Sequence, residues 1–353
     1  MAHHPSQLRR IALLISAACA AALPLTQAQA GDLSDRFDVH GYGFQSYAQS
    51  SANTYRGADK RGTWDNNFLG LVMAATLTEQ SKLWAQLEST TGEGTNFTWF
   101  FVDYQINDAA SAHVGRVKLP LGFYNEIIDA KSLQPAALEP AIYQGAADMV
   151  HDAYHGAGLD YEHDVGAGHL RWQAWGGNVY DRDPPLLTRD RRAFGGRVTY
   201  RTPIDGLRFM LSGYRTQVQT LADNTMSNED REIVSAEFVR DAWDLKAEYA
   251  NHKFVGVPSY WYYVQAGYAV TEKWKPYARY DFVTTDKALR QDPSHYQKTF
   301  VVGVGYKLGA NIGLKIENHF NRGYALPVAS EEVVAGAGSL KWNHLVVAAD
   351  FAF

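Results

Sequence analysis

The sequence has 353 residues, a formal net charge of −5 and 46% hydrophobic residues. This mildly acidic composition gives no indication of nucleic-acid binding. The single cysteine, Cys19, excludes a disulfide within the chain, and no stretch after residue 30 approaches the roughly 18 consecutive apolar residues of a membrane-spanning helix.

The N-terminus has the pattern of an export signal over residues 1–30. Two arginines precede an apolar run over residues 11–25, and residues 28–30 read Ala-Gln-Ala, which is a small-x-small cleavage site. The apolar run is too short to span a bilayer as a helix. The sequence therefore predicts cleavage after Ala30 and a mature domain over residues 31–353.

Segments of about ten residues with alternating apolar and polar side chains recur through the mature sequence. The gaps between them are alternately short and long, which is typical of an antiparallel barrel with short turns at one end and loops at the other. The short gaps fall at residues 78–82, 107–111, 163–168, 202–206, 240–242, 271–273 and 308–311. The longer gaps fall at residues 50–65, 89–96, 120–155, 181–193, 217–230, 251–258, 284–295 and 321–340.

These gaps predict an all-β fold, a transmembrane antiparallel β-barrel of about 16 strands. An even number of strands places both termini and the short turns on one side, which we expect to be periplasmic. Aromatic clusters at residues 99–101 and 260–263 predict girdles at the two membrane interfaces.

A basic strand precedes the longest gap. Alternation places Arg116 and Lys118 on one face, opposite Gly115, Val117 and Leu119. Because a charge on the lipid face near the midplane costs about 2–4 kcal/mol, we expect this basic face to line the water-filled interior.

The gap at residues 120–155 is too long to be an idle connection. A barrel of sixteen strands has a lumen wide enough for solutes, and a long loop folded into it would restrict size and charge. We expect this third extracellular loop to fold inward, although packing on the rim or on a neighbouring subunit is the alternative. Its ionisable candidates for a constriction are Glu126, Asp129, Lys131, Glu139 and Asp148.

Five further basic residues lie opposite apolar neighbours on later strands, namely Arg171, Arg197, Arg201, Arg279 and Lys315. Any one of them could be paired with a carboxylate on a neighbouring strand. Taken together with Arg116 and Lys118, they predict a lumen that favours anions, since low-dielectric walls focus their field.

The last residues of the chain, 345–353, have the period-two pattern of a strand. Leu345, Val347 and Phe351 share an apolar face with the terminal Phe353, whereas Asp350 lies on the opposite face. A strand that is apolar on one side and polar on the other suits the closing strand of a membrane barrel, although a soluble sandwich could use it too.

Two segments resemble a known family. Residues 115–126, Gly-Arg-Val-Lys-Leu-Pro-Leu-Gly-Phe-Tyr-Asn-Glu, resemble part of the phosphate-selective porin O and P-like family and related Gram-negative porins. The opening strand over residues 39–44 and the terminal Phe353 are similar to porins of this broad group. The resemblance implies a sixteen-stranded, trimeric barrel whose third extracellular loop folds inward.

The sequence thus predicts an outer-membrane porin of a Gram-negative bacterium, with outer-membrane lipid, lipopolysaccharide and small anionic solutes such as phosphate or carboxylates as partners. The alternative is a non-conducting barrel that acts in adhesion or structure through its extracellular loops. We expect no enzyme, cofactor or metal site. Oriented nucleophile and base pairs are missing from the strands, and the histidines and aspartates near residues 148–155 suit a solvated loop.

Overall fold

The computed structural model of the protein describes residues 36–91, 94–144, 152–179, 188–221 and 223–353. The predicted signal peptide, residues 1–30, and Asp148 lie outside the described residues. Within these described ranges, no helix is long and apolar enough to cross a membrane.

The described residues form sixteen strands: β1 (Phe37–Ser50), β2 (Asn67–Thr78), β3 (Ser81–Thr90), β4 (Gly94–Asn107), β5 (Ala110–Lys118), β6 (Ala153–Val165), β7 (Gly168–Val179), β8 (Thr188–Arg201), β9 (Leu207–Thr220), β10 (Met226–Arg240), β11 (Trp243–Phe254), β12 (Val257–Tyr268), β13 (Trp274–Thr284), β14 (Tyr296–Lys307), β15 (Ile312–Gly323) and β16 (Lys341–Ala352). Each strand pairs antiparallel with its sequence neighbours, and β1 pairs with β16 to close the barrel. The predicted fold class and strand number are confirmed.

From β1 onward, the helical structure of the described residues lies in connections. One short α-helix, α1 (Glu331–Val334), precedes β16, and Ser330 caps its N-terminus by accepting a hydrogen bond from the Val333 amide. Three single 3₁₀ turns follow β5, at Asn125–Ile127, Lys131–Leu133 and Ala141–Tyr143.

The two ends of the barrel differ in their connections. One end, called the turn end below, holds Phe37, Ala352 and the connections at residues 79–80, 108–109, 166–167, 202–206, 241–242, 269–273 and 308–311. The opposite end, called the loop end, holds the longer connections at residues 51–66, 119–152, 285–295 and 324–340. This alternation is the one that the sequence predicted.

Three loop-end connections are shorter than the sequence predicted, because the flanking strands continue further. They occupy residues 91–93, 221–225 and 255–256. At the last of these, Val255 and Gly256 have φ values of 46° and 84°. Positive φ at both central residues is the geometry of the tight hairpin turn that matches the twist of two strands.

Side chains alternate between the two surfaces of the barrel as the terminal strand predicted. On β16, His344, Val346 and Asp350 are buried inside, whereas Val347 and Phe351 are exposed on the outer surface. The same alternation leaves a belt of exposed apolar side chains around the outside, such as Leu211, Val234, Val264, Val302 and Ile316.

The terminal Phe353 takes part in closing the barrel. Its backbone N–H donates to the Gly41 carbonyl at 2.8 Å, and its carbonyl accepts from the Gly41 N–H at 2.7 Å. A Cβ on Gly41 would overlap the ring of Phe353, and one on Gly43 would overlap the ring of Phe351. The two glycines of β1 therefore make room for aromatic rings that cover the seam.

The apolar core lies inside the barrel and is built partly from the connection between β5 and β6. Leu121, Tyr124 and Ile142 of this connection pack in one cluster with Trp261 and Tyr263 of β12. Trp261 and Tyr263 are fully buried, so only alternate members of the predicted aromatic girdle at residues 260–263 face outward. The cause is the period of two along a strand.

Candidate functional site

Residues 119–144, called the lumen segment below, cross the interior of the barrel. The carboxylates of three inward residues accept hydrogen bonds from its backbone amides: Glu248 from Phe123 (2.9 Å), Asp281 from Ala141 (3.1 Å), and Glu317 from Ala137 and Leu138 (3.0 Å each). These carboxylates lie on β11, β13 and β15 and are at most 2% exposed. The described part of the long loop therefore lies within the lumen, on the side of β11–β15.

Two of the basic residues predicted to line the pore also hold the lumen segment. Arg279 donates to the Leu138 and Glu139 carbonyls at 3.0 and 3.3 Å and pairs with Asp281 at 2.8 Å. Lys315 donates to the carbonyl of Lys131 and pairs with Asp350 at 3.1 Å. Arg279 is 1% exposed, so its charge is used in a packed contact rather than presented to water.

Two predicted constriction residues, Lys131 and Glu139, pair with each other inside the lumen segment. Their charged atoms are 2.6 Å apart, and Arg56 reaches Glu139 at the same distance. Burial raises the pKa of Glu139, but the adjacent Arg56 and Lys131 outweigh burial and hold this pKa below its usual range. These three charges fix the shape of the segment and its contact with the connection between β1 and β2.

The other two described candidates, Glu126 and Asp129, contact the opposite wall. Glu126 accepts from Arg197 on β8 at 2.5 Å. Asp129 pairs with Lys118 at 2.5 Å, and Lys118 also reaches Asp152 at 2.8 Å. The lumen segment therefore contacts both walls of the barrel. On the β11–β15 side the wall supplies the carboxylates, and on this side the segment supplies them.

Two adjoining cavities lie between the lumen segment and strands β3–β9. Their volumes are about 280 Å³ and about 220 Å³, and both are lined by Glu126 and Arg171. Arg171 pairs with Asp160 of β6 at 2.7 Å and remains 42% exposed. The aqueous space of the lumen in this region is therefore bounded by charged side chains.

Four arginines line the smaller cavity, and we call them the arginine cluster: Arg171, Arg197, Arg201 and Arg208. Arg201 and Arg208 are directly opposite each other on β8 and β9. Arg208 also pairs with Glu237 and lies with its guanidinium 5.0 Å from the ring centre of Phe123. The carboxylates that line the same cavity are Glu126 and Glu162.

Arg208 is the member that sequence reasoning missed. Its signal is present in the run Leu207-Arg208-Phe209-Met210, where one arginine alternates with large apolar side chains. Its inward direction follows from the pairing of β8 with β9, because directly opposite residues share a face.

Arg116 lies in a different place from the one predicted. It is opposite Phe100 on β4 and His155 on β6, and the ring of Phe100 is 45% exposed on the outer surface. Its neighbour Val117 instead packs in the lumen cluster with Tyr154. These pairings place Arg116 in the outward row, where it is buried and its guanidinium donates to the Phe97 carbonyl at 3.1 Å. The alternation breaks at the end of β5, because Val117 and Lys118 both line the larger of the two cavities.

No protein-family model and no curated protein matches the sequence. Solved structures do match in fold, and the fold is that of outer-membrane porins. The anion-selective porin from Comamonas acidovorans is 15% identical, with a TM-score of 0.59 over 90% of this chain and 99% of that chain. OmpF of Salmonella typhi, in complex with daunomycin, is 13% identical, with a TM-score of 0.61 over 90% and 97%.

The outer-membrane channel DcaP of Acinetobacter baumannii is similar to the same extent, at 12% identity and a TM-score of 0.57 over 90% of this chain and 97% of that chain. At such identities the likeness is one of fold. The narrower resemblance to the phosphate-selective porin O and P-like family stays a prediction.

Proposed function

We propose that this protein is an outer-membrane porin through which small hydrophilic solutes diffuse passively, with a preference for anions such as phosphate or carboxylates. The observation that carries the preference is the arginine cluster, whose four guanidinium groups line one aqueous cavity. Arg171, Arg197 and Arg208 are paired with Asp160, Glu126 and Glu237, whereas Arg201 is exposed and forms no ion pair with a described carboxylate.

The physical basis is the field of fixed charges beside a narrow, low-dielectric wall. A guanidinium stays protonated at any physiological pH and presents several donors to carboxylate or phosphate oxygens. Where aqueous space is confined, such a field raises the local concentration of anions and lowers that of cations. The anion-selective porin among the structural neighbours is compatible with this preference.

Planar-bilayer recording tests the proposal. Refolded protein is placed between asymmetric potassium chloride solutions, and the reversal potential gives the ratio of chloride to potassium permeability. We expect chloride preference in the unmodified protein and its loss in the variant R171Q/R201Q/R208Q. The control variant R215Q/K253Q/K287Q removes three exposed cations of β9, β11 and the 285–295 connection, outside the arginine cluster, and should keep the preference.

Three results would contradict the proposal. Potassium preference in the unmodified protein, or an unchanged reversal potential in the R171Q/R201Q/R208Q variant, would remove the anionic part. Absence of conductance from a correctly folded barrel would favour the alternative, a non-conducting barrel acting in adhesion or structure.

The proposal includes a location and an assembly. We infer export through a signal peptide cleaved after Ala30, a homotrimer, and contact with outer-membrane lipid and lipopolysaccharide. It requires no nucleic acid, cofactor, metal or catalytic step. Mass spectrometry of protein extracted from outer membranes should give a chain that begins at Gly31, and unheated gel electrophoresis should give a band of three subunits.

A further inference from the structure

A row of three cations crosses the outer surface of the barrel near the loop end. Lys298 on β14 is directly opposite Arg322 on β15, and Arg322 is directly opposite Lys341 on β16. All three side chains are exposed. We call these residues the basic row.

The basic row borders apolar surface on its turn-end side. Phe300 and Phe320 lie two positions closer to the turn end than Lys298 and Arg322. They are opposite each other and are 47% and 49% exposed. A cleft of about 490 Å³ is lined by both phenylalanines, by Tyr280 and by the three cations. This order, cations above aromatic and apolar side chains, is expected where lipid headgroups meet acyl chains.

The cleft contains no negative partner for these cations. Its other lining residues are Ser51, Asn321, Trp342 and Asn343, which are uncharged at any physiological pH. Within the described part of the chain, none of the three cations forms an ion pair with a carboxylate. Like charges directly opposite each other in a sheet are destabilising, so an external anion would relieve their repulsion.

A second row on the same outer surface shows the usual arrangement. Arg215 on β9 is opposite Asp230 on β10, which is opposite Lys253 on β11, and Arg215 donates to Asp230 through both Nε and Nη2. There the signs alternate, and the carboxylate of Asp230 lies between the two cations. The basic row differs in having one sign only.

We propose that the basic row binds the phosphate groups of a phosphorylated glycolipid of the outer leaflet, lipopolysaccharide, with acyl chains along Phe300 and Phe320. Arginine and lysine are the side chains that hold phosphate oxygens, and cations at a membrane surface attract anionic headgroups. The inference rests on the outer-membrane location in the proposed function, but not on conductance or on ion selectivity.

The test measures lipid binding to the detergent-solubilised full-length protein by native mass spectrometry. The probes are bisphosphorylated lipid A, the same lipid A without phosphates, and inorganic pyrophosphate. At about 1 kcal/mol for each cation near an anionic surface, we expect the variant K298Q/R322Q/K341Q to bind bisphosphorylated lipid A about a hundredfold more weakly. The control R215Q/K253Q/K287Q should bind it as the unmodified protein does.

The two variants carry the same loss of charge, and the shift in gel mobility on heating shows whether each barrel is folded. The proposal is overturned if the folded K298Q/R322Q/K341Q variant binds bisphosphorylated lipid A unchanged, or if dephosphorylated lipid A binds equally well. It is also overturned if pyrophosphate binds and lipid A does not. A variant that loses its subunit contacts but binds lipid A unchanged would overturn it as well. The reversal potential of the same variant should not change, so a failure of the proposed anion preference is seen separately.

Discussion

The two walls of the lumen carry the same kinds of charged residue at the same alternating positions, but these charges have different partners. On the β11–β15 wall, Glu248, Asp281 and Glu317 accept hydrogen bonds from backbone amides of the lumen segment. Arg279 donates hydrogen bonds to carbonyls of the same segment. On the β6–β9 wall, Arg171, Arg197 and Arg208 pair with carboxylate side chains and, together with Arg201, border a cavity.

The difference shows how one type of residue can serve two purposes within one barrel. A buried backbone amide or carbonyl that lacks a partner is costly, so a segment of loop inside a barrel needs polar groups from the wall. The β11–β15 wall supplies these groups, so its charged side chains contact the lumen segment instead of water. On the β6–β9 wall Arg197 also contacts the segment, but Arg171 and Arg201 remain exposed to the cavity, and we expect ion selectivity to depend on them.

The largest expected effect comes from removing the acceptors of the lumen segment. In the variant E248A/D281A/E317A, the amides of Phe123, Ala137, Leu138 and Ala141 lose their charged partners. Hydrogen bonds to charged groups contribute about 1.5–3 kcal/mol each, so we expect the segment to leave the wall. Single-channel conductance and current noise should both rise.

The matched control for this variant is Asp244→Ala. Asp244 is an inward, buried carboxylate of β11 whose described ion pairs are with Lys246 and Lys275 of the wall itself. The substitution Asp244→Ala should leave single-channel conductance nearly unchanged. If trypsin does not gain access to Lys131 in the folded triple variant, and conductance also stays the same, the carboxylates do not hold the segment.

The next effect compares two arginines, one on each wall. Arg279→Met leaves Asp281 buried without its cation, and such a loss costs about 3–5 kcal/mol. Arg201 is exposed, so Arg201→Met should change the free energy of unfolding by no more than about 0.5 kcal/mol. Urea unfolding in lipid vesicles measures both values. Equal destabilisation by the two substitutions would contradict the assignment of separate roles.

Period-two alternation predicted the strands, their number and the inward direction of most charged residues. It could not predict which wall holds the lumen segment, because the partners of Glu317 are 179 and 180 residues away in the sequence. Arg279 and Lys315 were therefore predicted to face water, whereas they contact the segment.

Two other differences have local physical causes. Alternation within β5 separates Arg116 from Val117, but only pairing with β4 and β6 decides which of the two faces inward. The connection at residues 255–256 was predicted too long because Val255 adopts a positive φ of 46°, which a β-branched residue rarely does.

The smallest expected effect is a rise in chloride preference, whereas removing arginines should lower it. Glu126 lies between the two cavities, is 41% exposed and pairs with Arg197. Glu126→Gln removes a negative charge from the aqueous wall while keeping a side chain that accepts hydrogen bonds. Because the Glu126 carboxylate is itself in contact with solvent, its effect on the cavity is screened to about 1 kcal/mol at most, and chloride preference should rise by less than about fivefold. The control is Glu331→Gln, the same change on the exposed helix α1, which should leave the reversal potential unchanged. A fall in chloride preference with Glu126→Gln would mean that ions do not pass between the lumen segment and the β6–β9 wall.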